Sequence, residues 1–138
     1  MEVNTKVHLS GLTLDNPVIP ASGTYGFCKE YVDFYDINIL GSISIKGTTV
    51  QRRKGNPQPR IAECYSGLIN SVGLENPGME NVIQKELKDL EKIYRKPVIA
   101  NISGFSVEEY VTLAREMDKV DNVGIIEVNI SCPNVDHG

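Results

Sequence analysis

The sequence predicts an α/β fold built on a parallel sheet, and three observations predict it. Short apolar runs with a period of two alternate with longer runs of helical period, the pattern of βα units joined by right-handed crossovers. Polar residues fall at the C-terminal ends of consecutive strands, the edge at which α/β proteins bind ligands. Neither a P-loop nor a G-x-G-x-x-G fingerprint is present, which argues against a Rossmann nucleotide site. A closed βα barrel fits better than a doubly wound sheet, because the strand-end residues come from consecutive strands and not from one switch point. The doubly wound sheet remains the alternative.

The elements follow in order. Residues 6–9 and 12–14 flank Ser10-Gly11 and read as a short β-hairpin. Residues 17–21 form a short apolar strand ending in Ala21-Ser22-Gly23, small residues that let a flat ligand approach the backbone. Residues 28–36 are weakly helical. Residues 42–46 form the next strand, with Ile43 and Ile45 facing one way and Ser42, Ser44 and Lys46 the other. Residues 47–77 read as a long ordered loop that serves function. Met79, Val82, Ile83, Leu87, Leu90 and Tyr94 recur at helical spacing, so 79–94 is an amphipathic helix. Residues 97–103 are a third core strand. Ser106 and Glu109 make a capping box that opens a helix over 107–119. Residues 124–130 are the fourth strand, expected to be buried on both sides. Asn101 and Asn129 lie 28 residues apart at matching strand ends, the length of one βα unit.

Length and composition fit one globular domain. The chain has 138 residues, 41% hydrophobic and 23% charged, and a net charge of −4. The acidic balance argues against nucleic acid or an anionic membrane as a partner. No apolar run is long enough for a membrane span, and no signal peptide is read, so a cytoplasmic location is expected. Cys28, Cys64 and Cys132 are odd in number without C-x-x-C spacing, so neither a disulfide framework nor a metal site is expected. The Arg52-Arg53-Lys54 run reads as a solvated loop, and His137 takes no role.

The last strand carries the chemistry. Ile126, Val128 and Ile130 alternate with Glu127 and Asn129, so the two polar residues share a face. Buried polar groups need partners, so that face looks into a polar site. The strand then opens onto Cys132 and Pro133. A thiol ionises for a few per cent of the time at neutral pH without help, and a small downward shift makes it a general base. Ser22, Lys46, Asn101 and Asn129 are delivered to the same edge by successive strands.

The motifs taken together resemble the class 1 dihydroorotate dehydrogenases, FMN enzymes of pyrimidine (UMP) biosynthesis. The likeness rests on residues 16–19 and 21–24, 45–49, 55–60, 70–78 and 129–134. The Ala-Ser-Gly-Thr start and the Asn76-Pro77-Gly78 ending look more like class 1B, the NAD-linked branch. The resemblance implies a TIM barrel, of which residues 1–138 would be the N-terminal half: four βα units, ending after the fourth strand. It implies that Ser22, Lys46, Gly47, Asn101 and Asn129 hold FMN. It further implies that Lys46, Asn70, Ser71, Val72, Gly73, Leu74 and Asn129 hold dihydroorotate, and that Cys132 is the catalytic base. The 70–74 stretch would offer backbone N–H groups to the substrate carboxylate. A homodimer is implied, and for class 1B a partner subunit carrying FAD and an iron–sulfur cluster and passing electrons to NAD. Because a full barrel takes about 250 residues, the chain alone is expected neither to bind FMN tightly nor to turn over. Two alternatives stay open: a related FMN barrel acting on dihydropyrimidines, and an inactive half-barrel that only binds or associates.

Overall fold

The computed structural model describes residues 3–9 and 11–135. Ser10 and His137 lie outside them. The order is β1 (Val7–Leu9), β2 (Leu12–Leu14), α1 (Ser22–Tyr25), a 3-10 turn (Ile37–Ile39), β3 (Ile61–Cys64), β4 (Gly67–Asn70), α2 (Met79–Asn81), a π turn (Val82–Glu86), α3 (Leu87–Ile93), β5 (Val98–Ile102), α4 (Val107–Met117) and β6 (Val123–Val128). The fold is mixed α/β. β1 pairs antiparallel with β2, and β5 pairs in parallel with β6, Asn101 opposite Glu127 and Ile102 opposite Val128.

The 42–49 segment is not the continuous strand expected. It meets β5 at two parallel bridges, Ser44 with Ile99 and Thr48 with Ile102. Four steps on one side thus match three on the other, so one residue is extra, as in a β-bulge. Ile45 N–H donates to Ile99 O and Thr48 N–H to Asn101 O, while Lys46 N–H leaves the ladder and donates to Gly26 O at 2.9 Å. The bulge turns Lys46 and Gly47 out of register at the sheet's C-terminal edge.

Three further expectations are corrected. Residues 17–21 form no strand: Pro17 and Pro20 have no N–H to give a ladder, and the segment is tied back by Gly41 N–H donating to Val18 O. Residues 28–36 are a chain of turns rather than a helix. Gly26 and Cys28 both have positive φ, 59° and 58°, which a right-handed helix excludes. The 47–77 stretch is not all loop, since β3 and β4 form an antiparallel hairpin inside it, with Cys64 opposite Gly67.

The helices match their periodicity with small shifts. The 79–94 stretch is helical from Met79 to Ile93 but widens to a π turn in the middle, and Tyr94 is its extended C-cap. On α4, Ser106 Oγ accepts from Glu109 N–H at 3.2 Å, and the Glu109 carboxylate reaches back to Phe105 N–H at 2.7 Å. The predicted box therefore takes its second N–H one residue earlier than the usual form. The core packs one face of the sheet against helices. Ile43, Ile45, Val98, Ala100 and Ile102 meet Val82, Leu87 and Leu90 and the α4 residues Leu113 and Met117. β6 ends at Val128, and it is not buried on both sides: Val128 is 52% and Ile130 82% exposed. No helix is long and apolar enough to cross a membrane among the described residues.

Candidate functional site

The face of the sheet away from the helices is polar. Alternation places Ser42 and Ser44, then Asn101 and Ser103, then Glu127 and Asn129 on it. Ser44 Oγ donates to Glu127 Oε2 at 2.7 Å, and Asn101 Nδ2 donates to the same oxygen at 2.8 Å. Three backbone segments are thereby joined through one carboxylate. Asn101 Oδ1 and Ser103 Oγ are buried and have no hydrogen-bond partner among the described residues. Gly47 lies against both: a Cβ there would stand 2.8 Å from Asn101 Oδ1 and 3.3 Å from Ser103 Oγ.

A cavity of about 690 Å³ opens at this edge. Its wall includes Ser22, Gly23 and Thr24 from α1, Lys46 and Gly47 from the bulge, and Asn101 and Asn129 from the ends of β5 and β6. Ile61, Leu68 and Asn70 come from the β3–β4 hairpin, Val72, Gly73 and Leu74 from the segment after it, and Cys132 and Asn134 from the loop after β6. Every residue proposed from the sequence is therefore brought together except Ser71. Ser71 is not on the wall, and its N–H is spent on Arg60 O at 2.8 Å. Asn70 belongs to β4 and not to a loop.

Local geometry explains how each wall is held. Gly73 has φ 74°, and a Cβ on it would lie 2.5 Å from the Asn56 side chain, so this turn accepts glycine alone without strain. Asn56 Nδ2 donates to Ser71 O and to Asn134 O, at 3.0 and 2.9 Å, and thus couples the 70–74 segment to the loop after β6. Asn76, buried, accepts from Thr49 and Gly78 N–H and donates to Leu74 O at 2.8 Å. Asn129 N–H donates to Ile102 O, its carbonyl accepts from the Tyr110 hydroxyl, and its Oδ1 accepts from Ser131 N–H. What the Asn129 side chain offers the cavity is therefore its Nδ2. Lys46 Nζ has no ion pair or hydrogen bond among the described residues, so its charge is available to a ligand. Cys132 is a free, half-buried thiol on the same wall.

Asn56 and Asn76 were missed by sequence reasoning. Asparagine beside glycine or proline signals a turn in which the side chain binds backbone, and both residues carry that signal. A second cavity of similar volume runs along Arg52, Arg53, Glu75 and Glu86. Of its carboxylates, Glu75 pairs with Arg60 and Glu86 with Lys29, while Glu30 has no ion pair among the described residues.

Fold and site together define an α/β protein with a ligand cavity at the C-terminal edge of parallel strands. The dihydroorotate dehydrogenase family model matches residues 4–138, and the chain belongs to that family. It is 54% identical over 133 residues to the "Dihydroorotate dehydrogenase B (NAD(+)), catalytic subunit" of Bacillus cytotoxicus, covering 96% of this chain and 43% of that one. The protein of the same name from Enterococcus faecalis is 54% identical over 132 residues, with 42% of its length covered. The chain thus spans about two-fifths of the length of these relatives. Among solved structures, ligand-free dihydroorotate dehydrogenase from Eimeria tenella superposes with a TM-score of 0.73 at 22% identity, over 96% of this chain and 40% of that one. The same enzyme in complex with ferulenol gives 0.64 at 23%, over 96% and 38%. At that identity the likeness speaks for the fold.

Proposed function

We propose that this chain supplies the flavin-facing and substrate-facing wall of an FMN-dependent dihydroorotate dehydrogenase, its strands forming the first part of a TIM barrel. One observation carries the reading: a single cavity gathers the Cys132 thiol, the unpaired Lys46 ammonium and the buried, partnerless Asn101 Oδ1 above Gly47. The residues fit a flavin. Gly47 carries no side chain to stand between Asn101 and the cavity, and the polar groups of Lys46, Asn101 and Asn129 on the wall suit the polar edge of a flat heteroaromatic ring. Ser22, Lys46, Gly47, Asn101 and Asn129 would hold it.

In this reading Cys132 acts as general base, taking a proton from the carbon next to the dihydroorotate carbonyl. FMN held by those residues would supply the acceptor for the hydride from the adjacent carbon, whose departure would leave the new C=C bond of orotate. Lys46 balances negative charge that develops on the rings. Asn70, Val72, Gly73, Leu74 and Asn129 orient the pyrimidine and its carboxylate, with Ser71 bracing that segment from behind. The 1B branch is supported by the relatives' names, which give NAD(+) and a catalytic subunit, and a partner subunit passing electrons to NAD through FAD and an iron–sulfur cluster belongs to the same proposal. A homodimer belongs to the same reading, and exposed Ile69, Val128 and Ile130 supply apolar surface for subunit contacts. A cytoplasmic location is proposed with it.

The test is an absorbance spectrum of the purified holoenzyme that contains this wall, before and after dihydroorotate is added without oxygen. Bleaching of the flavin bands supports the proposal. A flavin band that ignores dihydroorotate, or that bleaches with dihydrouracil instead, overturns it.

A further inference from the structure

Glu127 has no part in the chemistry proposed above, yet it sits where three segments of the site meet. Its Oε2 accepts from Ser44 Oγ at 2.7 Å and from Asn101 Nδ2 at 2.8 Å. A carboxylate can only accept, so the Asn101 atom beside it must be the amide nitrogen. That fixes the other half of the amide. Asn101 Oδ1 is turned away from the carboxylate, and Asn101 and Ser103 are 5% and 2% exposed. Asn101 Oδ1 and Ser103 Oγ, both without a partner among the described residues, lie against Gly47, and of these residues Asn101 and Gly47 line the cavity. Buried polar groups without partners are rare in folded proteins, and Asn101 Oδ1, which can only accept, points to a ligand donor.

We propose that Glu127 is a positioning residue that locks the Asn101 amide with Nδ2 toward the carboxylate and Oδ1 toward the space beside Gly47, so that the site accepts a ring N–H there. The proposal rests on the flavin and pyrimidine reading of the cavity, since both rings carry an imide N–H between carbonyls. Without the carboxylate the amide is free to turn over. It would then present Nδ2, a donor, where the ligand also brings a donor.

The experiment compares Glu127→Ala, Glu127→Gln and Ser44→Ala with the unaltered protein, each made in the complete holoenzyme and freed of flavin. Two readouts are needed. The first is the Asn101 side-chain amide by ¹⁵N NMR, in the absence of ligand. The second is the Kd for FMN and, separately, for orotate, by fluorescence or calorimetry. In the unaltered chain the Asn101 Nδ2 protons exchange slowly. Glu127→Ala abolishes that protection and raises the Kd for one ring about tenfold, the loss of one hydrogen bond. Glu127→Gln keeps both properties, because its Oε1 still accepts. Ser44→Ala removes the neighbouring bond only and leaves the Kd within about twofold. A rise confined to FMN assigns the donor to the flavin, and one confined to orotate assigns it to the pyrimidine. Unchanged Asn101 protection in Glu127→Ala overturns the proposal. So does a loss of affinity in Ser44→Ala as large as that in Glu127→Ala, or the same Kd for both ligands with and without the carboxylate. If the unaltered holoenzyme binds neither ring while the Asn101 signature behaves as expected, the positioning stands and the flavin reading of the cavity falls.

Discussion

Replacing Gly47 by alanine tests the site's geometry at its tightest point. The new Cβ would stand 2.8 Å from Asn101 Oδ1 and 3.3 Å from Ser103 Oγ. Ordinary contact begins near 3.4 Å, so the first pair must separate by about 0.6 Å. Neither partner moves freely. Displacing Asn101 strains its bond to the Glu127 carboxylate, and hydrogen bonds to charged groups are worth about 1.5–3 kcal/mol. Displacing the backbone instead strains Thr48 N–H to Asn101 O and Lys46 N–H to Gly26 O, both 2.9 Å. Overpacking of this kind costs about 1–3 kcal/mol. The expected loss is about 2 kcal/mol, which at a urea slope near 2 kcal/mol per molar moves the unfolding midpoint down by about 1 M. The assay is urea unfolding followed by circular dichroism, run as a double-mutant cycle. With Asn101→Ala in the background the 2.8 Å contact no longer exists, and the cost of Gly47→Ala falls below about 1 kcal/mol. An equal cost in both backgrounds would refute the account of the cradle.

Other outcomes follow from the same structure. In the holoenzyme Cys132→Ser leaves the flavin spectrum unchanged but slows anaerobic flavin reduction by dihydroorotate about 10²- to 10⁴-fold, read by stopped flow, since a serine hydroxyl ionises far less readily than a thiol at neutral pH. Leu113 is fully buried between α4 and the sheet, and Leu113→Ala lowers the stability measured in urea by about 2–5 kcal/mol. Exposed Cys64 reacts at once with a thiol reagent, whereas buried Cys28 reacts only after unfolding. Burial, followed by the nearby Glu30 charge, pushes the Cys28 thiol up to about 11 from 9.0, against a small opposing pull from Lys29. The neutral thiol is the form the fold prefers, so this contribution is whole below pH 9 and is lost as pH rises through 11. Stability of Cys28→Ala measured over that range lacks this part of the decline.

The sheet and its outer helices were legible because their signals are periodic. Ile43 with Ile45, and the Val107–Met117 stripe, alternate at the strand and helix spacings, and those faces are where the core lies. What escaped was set by single residues or by distant partners. The prolines at 17 and 20 cancel a strand that hydropathy alone supports. The β3–β4 hairpin is exposed along its whole length, so it bears no buried stripe by which to recognise it. The bulge between Ser44 and Thr48 has no composition of its own and is visible only against β5. Glu127 was readable as a polar residue on an apolar strand, but its partners are 83 and 26 residues away and no local pattern names them.

That separation has a consequence for how the site comes into being. Ser44 to Glu127 spans 83 residues, Asn56 to Asn134 spans 78, and Asn70 to Asn134 spans 64. Each closure costs loop entropy before it returns any bond energy, and such non-local contacts form late. The hairpin, the helices and their local turns can assemble as soon as their own residues leave the ribosome. The cavity cannot, because the wall that runs from Asn129 to Asn134 is made long after the Ser22 and Lys46 wall it faces. During synthesis the polar face waits in water, with Asn101 and Lys46 hydrated and with no pocket for a cofactor to enter. Ligand capture is thereby deferred until translation has passed residue 134.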